Sequence, residues 1–434
     1  GKTTALVNSG LKFPLAGAGG AEAIAGTGGT RHCDWWFTEV NMKIGKDDPI
    51  LIIGASLSGL TTAVALRHYG YKNVHLYERN PSVTEAGGVL FLGANAMHSL
   101  KSLQLAERVF IRGGAWNNYK LKWKNDKELK SYSLSDIKED TAFLPLSIPQ
   151  QSYQEELISL IPDEYIHTGK EFISFTARDK AIEAHFSDGD TVQGSLLIGA
   201  DGADSRVHLQ LMGEKKRKPI NRMHYQVIIP DGHISSLSNI TRNEVLEIIG
   251  PGKGFLLAPL QQKDWVCQLS VEGSIALPEG ARKENFSQAF SKWPEPVETI
   301  LNSIDPSAWH SFPVINQKIP RKWHDNRVVL IGDAIHPIPL NWHMGADLSV
   351  ESAVLLGRLL AEEGNLKRAF RQFEKKRVNR VKRFQKASAS RGSVMYSKNP
   401  LSWFLRNAIV PALPAERGFS ALMKLNKGDY YEGK

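Results

Sequence analysis

An unbroken apolar run, Pro49-Ile50-Leu51-Ile52-Ile53, leads straight into Gly54-Ala55-Ser56-Leu57-Ser58-Gly59. A run without polar alternation suits a parallel strand buried on both faces. Leu60–Tyr69 follows with Leu60, Ala63 and Val64 at helical spacing, and Gly70 is a fitting stop. Val74-His75-Leu76-Tyr77 reads as a second strand closing on Glu78, 24 residues after Gly54. Strand, tight turn, helix, strand and terminal acid together predict a dinucleotide-binding βαβ unit. Its turn offers backbone N–H groups and a helix N-terminus to a pyrophosphate. Glu78 is placed to accept from an adenosine ribose. Gly54, Ser56, Leu57, Ser58, Gly59, Glu78 and the adjoining Arg79 are therefore candidate cofactor contacts. Ser56 stands where the pattern has a second glycine, and its hydroxyl is able to bond a phosphate oxygen.

Two later segments make the pattern specific. Leu196-Leu197-Ile198-Gly199-Ala200-Asp201-Gly202-Ala203-Asp204-Ser205-Arg206-Val207 and Arg327-Val328-Val329-Leu330-Ile331-Gly332-Asp333-Ala334-Ile335-His336 each run from an apolar strand into a Gly/Asp turn. They resemble the "DG" and "GD" motifs of the FAD-dependent aromatic hydroxylases, the single-component (group A) flavoprotein monooxygenases. Gly87-Gly88-Val89 through Asn95-Ala96 resembles the segment that lines the flavin there, and the likeness spans about Pro49 to Leu425 in the family's order.

The resemblance implies an α/β fold. A Rossmann-like FAD-binding domain with a parallel sheet would be joined to an antiparallel β-sheet substrate domain and C-terminal helices. The expected divisions are 1–41, a disordered or non-native leader; 42–210, the first FAD-binding part with inserted segments; 211–320, the substrate sheet, including Gly254–Pro259 and Trp265–Leu269; 321–390, the GD motif and its helix; and 391–434, a helical cap. The resemblance adds Gly88, Gln154, Asp201, Gly332, Asp333, Gly345 and Ala346 to the cofactor contacts. It also implies a reaction: NAD(P)H reduces FAD, O₂ adds at flavin C4a, and the hydroperoxide hydroxylates or epoxidises a small aromatic or polyketide/terpenoid-like substrate. The cofactor carries that chemistry. No side chain is singled out as catalytic, and no metal-ligand cluster stands out.

Several residues depart from the family. After Pro337 the loop reads Ile338-Pro339-Leu340-Asn341-Trp342-His343-Met344-Gly345-Ala346-Asp347. His343 and Met344 replace a Gly-Gln pair, Asp347 replaces an Asn, and Ser352 replaces the Asp after Glu351. In the family this loop's backbone N–H groups stabilise charge at flavin N1 and O2. Gln154 falls where relatives carry an Arg near FAD. Three outcomes stay open: an oxygenase with a shifted substrate pocket, a flavin-fold enzyme for a non-oxygenating cyclisation or isomerisation, and a vestigial binding protein. His343 is itself open between an acid/base role, covalent flavin attachment and a packing role.

Composition narrows the partners. The formal net charge is +9, much of it between Lys367 and Lys386, where ten Lys or Arg accompany the single acid Glu374. Phe370, Phe373, Val381 and Phe384 recur there at near-helical spacing, so the run reads as one solvated face of an amphipathic helix, and no nucleic-acid partner is expected. No apolar stretch is long enough to span a membrane. Two cysteines, Cys33 and Cys267, form no disulfide framework and fit a cytoplasmic setting. The sequence leaves the oligomeric state open.

Overall fold

The computed structural model describes residues 42–84, 87–134, 143–178, 180–214, 217–234, 240–272, 282–339, 341 and 345–412. The expectation for residues 1–41 lies outside them, as do the expectations for His343 and Met344. Of the expected 391–434 cap, residues 391–412 are described.

The apolar runs form the centre of a six-stranded sheet. Its order is His324–Asp325, Val328–Leu330, Leu196–Gly199, Ile50–Ile53, Val74–Tyr77, Ile166–His167. All pairings are parallel except that of His324–Asp325. Ile50–Ile53 and Leu196–Gly199 are buried throughout, as strands covered on both faces must be. The helix Leu57–His68 packs between this sheet and the helix Gly345–Glu363, and Gly357 makes the approach possible: a Cβ there would lie 3.1 Å from that of Ala65.

A seven-stranded sheet forms the second layer. Its order is His310–Gln317, Arg217–Ile229, Trp265–Glu272, Lys253–Pro259, Glu244–Gly250, Asn118–Trp123, Glu128–Ser133. The two expected strands pair antiparallel, Leu257 facing Cys267. The sheet also differs from the expected divisions. Asn118–Ser133 joins it through a parallel pairing with Glu244–Gly250, so the chain enters the second layer well before residue 211. The helix Leu366–Met395 likewise runs unbroken across the expected boundary at 390. Along that helix Phe370, Phe373, Val381 and Phe384 are all buried, and most of the basic residues face outward.

Candidate active site

Strand register brings the three motif segments together. Ile53 pairs level with both Tyr77 and Gly199, and Gly199 pairs level with Leu330. The residues that follow, Gly54, Glu78, Asp201 and Asp333, therefore emerge side by side at the carboxyl edge of the sheet, where open α/β sheets bind ligands.

The turn after the first strand leaves no room for side chains. Gly54 has φ +98°, and a Cβ there would sit 2.5 Å from the Ala200 carbonyl oxygen. A Cβ on Gly59 would lie 1.8 Å from the Gly54 carbonyl oxygen, so only glycine lets the helix start this close to the turn. Gly332 approaches Ser58 equally closely. Glu78 braces the turn from the second strand: its carboxylate accepts from Ala55 N at 2.9 Å and from Asn80 N at 3.0 Å. Asp201 does the same for the third segment. Its Oδ2 accepts from Arg206 N and Val207 N at 2.8 and 3.2 Å, capping the helix Arg206–Met212. Its Oδ1 is buried with no protein partner, and burial raises this carboxyl above its ordinary range.

Two cavities run along this edge and share Ser56, Ala200 and Gly202. The smaller, about 220 Å³, is lined by Gly54, Glu78, Arg79 and Asp201. The larger, about 600 Å³, is lined by Leu57, Ser58, Gly88, Asp333, Gly345 and Ala346. Gly59 and Gly332 pack behind the lining. Gln154 is buried and lines neither cavity. It donates from Nε2 to the Val83 carbonyl at 2.9 Å, whereas Gln150, one helical turn earlier, faces the larger cavity.

The helix Gly345–Glu363 points its positive N-terminal end at the larger cavity. In its first turn Asp347 accepts from Gly93 N at 2.7 Å through Oδ1, while Oδ2 is buried without a partner. Burial pushes the Asp347 carboxyl well above its ordinary range, and Glu351 adds to the effect. One turn on, Glu351 lies between Arg377 and Arg380, with Arg380 Nε donating at 2.7 Å. Burial opposes its charge, but the two guanidiniums outweigh burial and bring it down to about 2. Ser352 accepts from Arg377 Nε at 3.1 Å and contacts His336 Nε2 at the same distance. Burial and the nearby Arg377 push His336 down to about 3, so the ring is neutral.

The second sheet roofs the larger cavity with residues that the motif reading did not single out. Gln226 accepts from Val89 N at 3.0 Å, and its Nε2 donates to the Val89 carbonyl at 3.3 Å and to Gln268 Oε1 at 2.9 Å. Phe91, His310 and Phe312 complete the roof. A signal existed: Gln226 and Gln268 are polar breaks in apolar strands and sit directly opposite each other in register.

These features suit an elongated dinucleotide with a polar tail. The acids and the turn fit its sugar and phosphate end, the orphaned Asp201 Oδ1 fits a hydroxyl donor, and the helix N-terminus fits a ring that gains negative charge. Residues 47–387 match the FAD binding domain family. The chain belongs to the FAD-dependent aromatic monooxygenase family. It is accordingly an oxidoreductase with FAD as its cofactor. Aurachin C monooxygenase/isomerase of Stigmatella aurantiaca is 28% identical over 87% of this chain and 96% of the relative. A 6-hydroxynicotinate 3-monooxygenase of Pseudomonas fluorescens is 25% identical over 82% of this chain and 93% of the relative. Klebsiella pneumoniae HpxO, solved with FAD and uric acid, superposes with a TM-score of 0.81 at 20% identity, covering 88% of this flavoprotein and 97% of HpxO. At that identity the likeness is one of fold.

Proposed function

We propose that this flavoprotein consumes NAD(P)H and O₂ to place one oxygen atom on a small aromatic or polyketide/terpenoid-like molecule, by hydroxylation or epoxidation. The observation that carries this reading is the larger cavity itself. It extends from Asp333 and the Gly345 helix end to the inner face of the seven-stranded sheet, where Phe312 supplies an apolar ring and Gln226 and Gln268 supply amides, and Phe91 of the strand Val89–Leu92 adds a second ring. FAD, when bound, supplies the redox chemistry. The Gly54–Gly59 turn and Glu78, Arg79 and Asp201 would hold its adenosine and phosphate end. Asp333, Gly88, Gly345 and Ala346 would position the ring end. The roof excludes water and orients the substrate. None of these tasks needs a nucleophilic side chain, and a cytoplasmic location accords with them.

The test is NAD(P)H oxidation by the FAD-loaded protein across a panel of aromatic and terpenoid compounds. Turnover stimulated by a compound that gains one isotopically labelled oxygen from O₂ supports the reading. Full FAD occupancy with no stimulated turnover across the panel contradicts it.

A second reading, isomerisation or cyclisation without net oxygenation, is favoured by the relative whose name pairs monooxygenase with isomerase. Product formed without O₂ or NAD(P)H would select it.

A further inference from the structure

The helix Pro400–Ala412 is turned inside out. Its single charged residue, Arg406, is buried. The Arg406 guanidinium lies 4.5 Å from the Trp123 ring centroid, and its Nη1 donates to the Val394 and Met395 carbonyls at 3.2 and 2.7 Å. Those bonds satisfy orphan carbonyls at the end of the helix Leu366–Met395. Trp403 stacks on Trp123 with centroids 5.4 Å apart. Trp403 and Val410 pack inward with Arg406, which fixes the roll of the helix.

Helical spacing then sends the apolar residues outward. Leu401, Phe404, Leu405 and Ile409 are 65, 63, 47 and 52% exposed, and Val394, on the helix that Arg406 closes, is 47% exposed. Five of the nine large hydrophobic residues exposed among the described residues thus fall within Val394–Ile409. Singly scattered apolar residues need no explanation, but a concentration of this kind marks an interaction surface. The helix cannot hide it by rotating without breaking the Arg406 bonds.

The surroundings are basic. Lys398 lies two residues before the helix and against Gly252, and Lys124 lies near Gly250. Lys253 is held below its ordinary range by burial and then by Lys124 and Lys398. At the other end, Lys130 donates to the Pro411 carbonyl at 3.4 Å. An exposed apolar helix face with lysines near both of its ends suits the chemistry of an anionic lipid surface.

We propose that the helix Pro400–Ala412 seats this enzyme on the surface of an anionic phospholipid bilayer. Leu401, Phe404, Leu405 and Ile409 enter the acyl boundary, and Lys124, Lys130 and Lys398 meet the headgroups. The helix lies in the membrane plane. No helix among the described residues is long and apolar enough to cross a membrane. This attachment goes beyond the oxygenase reading and does not depend on it.

The full-length, FAD-loaded protein is sedimented with vesicles of phosphatidylcholine, alone or with about one-third phosphatidylserine. The expected result is co-sedimentation with the anionic vesicles that weakens on pure phosphatidylcholine. Phe404→Ser with Leu405→Ser should lower binding by about tenfold or more. Lys124→Glu with Lys398→Glu should abolish the preference for anionic lipid. All four positions lie outside the cofactor cleft, so unchanged FAD content confirms that the variants are folded. A wild-type protein indifferent to both vesicles overturns the proposal. So does binding that survives Phe404→Ser with Leu405→Ser. A concentration-dependent dimer dispersed by that same pair would make a second copy the occupant and would overturn it as well.

Discussion

The Glu78 carboxylate accepts the Ala55 N–H at 2.9 Å, so the acid that ends the second strand also holds the turn that ends the first. Its second oxygen accepts from Asn80 N. One side chain thereby braces the turn and the strand end that line the smaller cavity. Glu78→Ala leaves a partly buried donor unsatisfied, at a cost of about 1–3 kcal/mol. We expect FAD affinity to fall by about tenfold or more, with Glu78→Gln milder because its amide oxygen still accepts. Titration of the apoprotein by flavin fluorescence measures both.

Glu351 is ionised between Arg377 and Arg380, and all three are buried. Removing its charge with Glu351→Gln strands two guanidiniums, and breaking a buried pair costs about 3–5 kcal/mol. Urea denaturation should show that loss near neutral pH. The folded-state value, about 2, lies below the ordinary 4.5. The contribution of Glu351 is therefore complete above 4.5 and is lost as pH falls toward about 2. The gap between wild type and Glu351→Gln should narrow across that acid range.

Asp347 has the opposite sign. Its folded-state value is raised well above the ordinary 3.8 by burial. The unfolded chain releases this proton first, so stability falls as pH rises above 3.8, until the folded carboxyl also ionises. Asp347→Asn keeps an oxygen for Gly93 N and removes the titration. It should be more stable than wild type at pH 7, with the advantage shrinking toward pH 4. Thermal melts at several pH values test this. A variant less stable at pH 7 would show that the carboxyl is needed as an anion.

Gln226 clamps both backbone groups of Val89 and bonds Gln268, tying the Gly87–Val89 segment to the roof of the cavity. Gln226→Leu keeps the volume and removes all three bonds. We expect NAD(P)H oxidation to continue while the fraction coupled to product falls severalfold, because the segment beside the cofactor is no longer held. Comparing NAD(P)H consumed with product formed reads the effect directly.

The features that were legible in the sequence are those a backbone imposes on contiguous residues. A strand that ends at a close approach must carry glycine, and Gly54, Gly59 and Gly332 mark such points. The amphipathic basic run was legible because Phe370, Phe373, Val381 and Phe384 keep helical spacing. The roof was not, because Gln226, Gln268 and Phe312 meet Val89 and Phe91, more than a hundred residues away in the chain, only through the packing of two separate sheets and the side-chain bonds of Gln226. Gln154 shows a related limit. Motif position placed it near the cofactor, but Gln154 lies one turn further along the same face of the helix Gln150–Ile158, beyond the cavity that Gln150 lines and buried against Val83. The inward Arg406 runs against hydropathy patterning, since the distant Trp123 ring and the carbonyls that end the preceding helix draw it in.

The most direct test of the account is the visible absorption spectrum of the purified protein, recorded before and after anaerobic addition of NADPH or NADH. The account predicts oxidised flavin bands at one FAD per chain that bleach when a nicotinamide donor is added with substrate and return on admission of O₂. A colourless protein that takes up no FAD, or bound flavin that stays oxidised with either donor across the substrate panel, would contradict it.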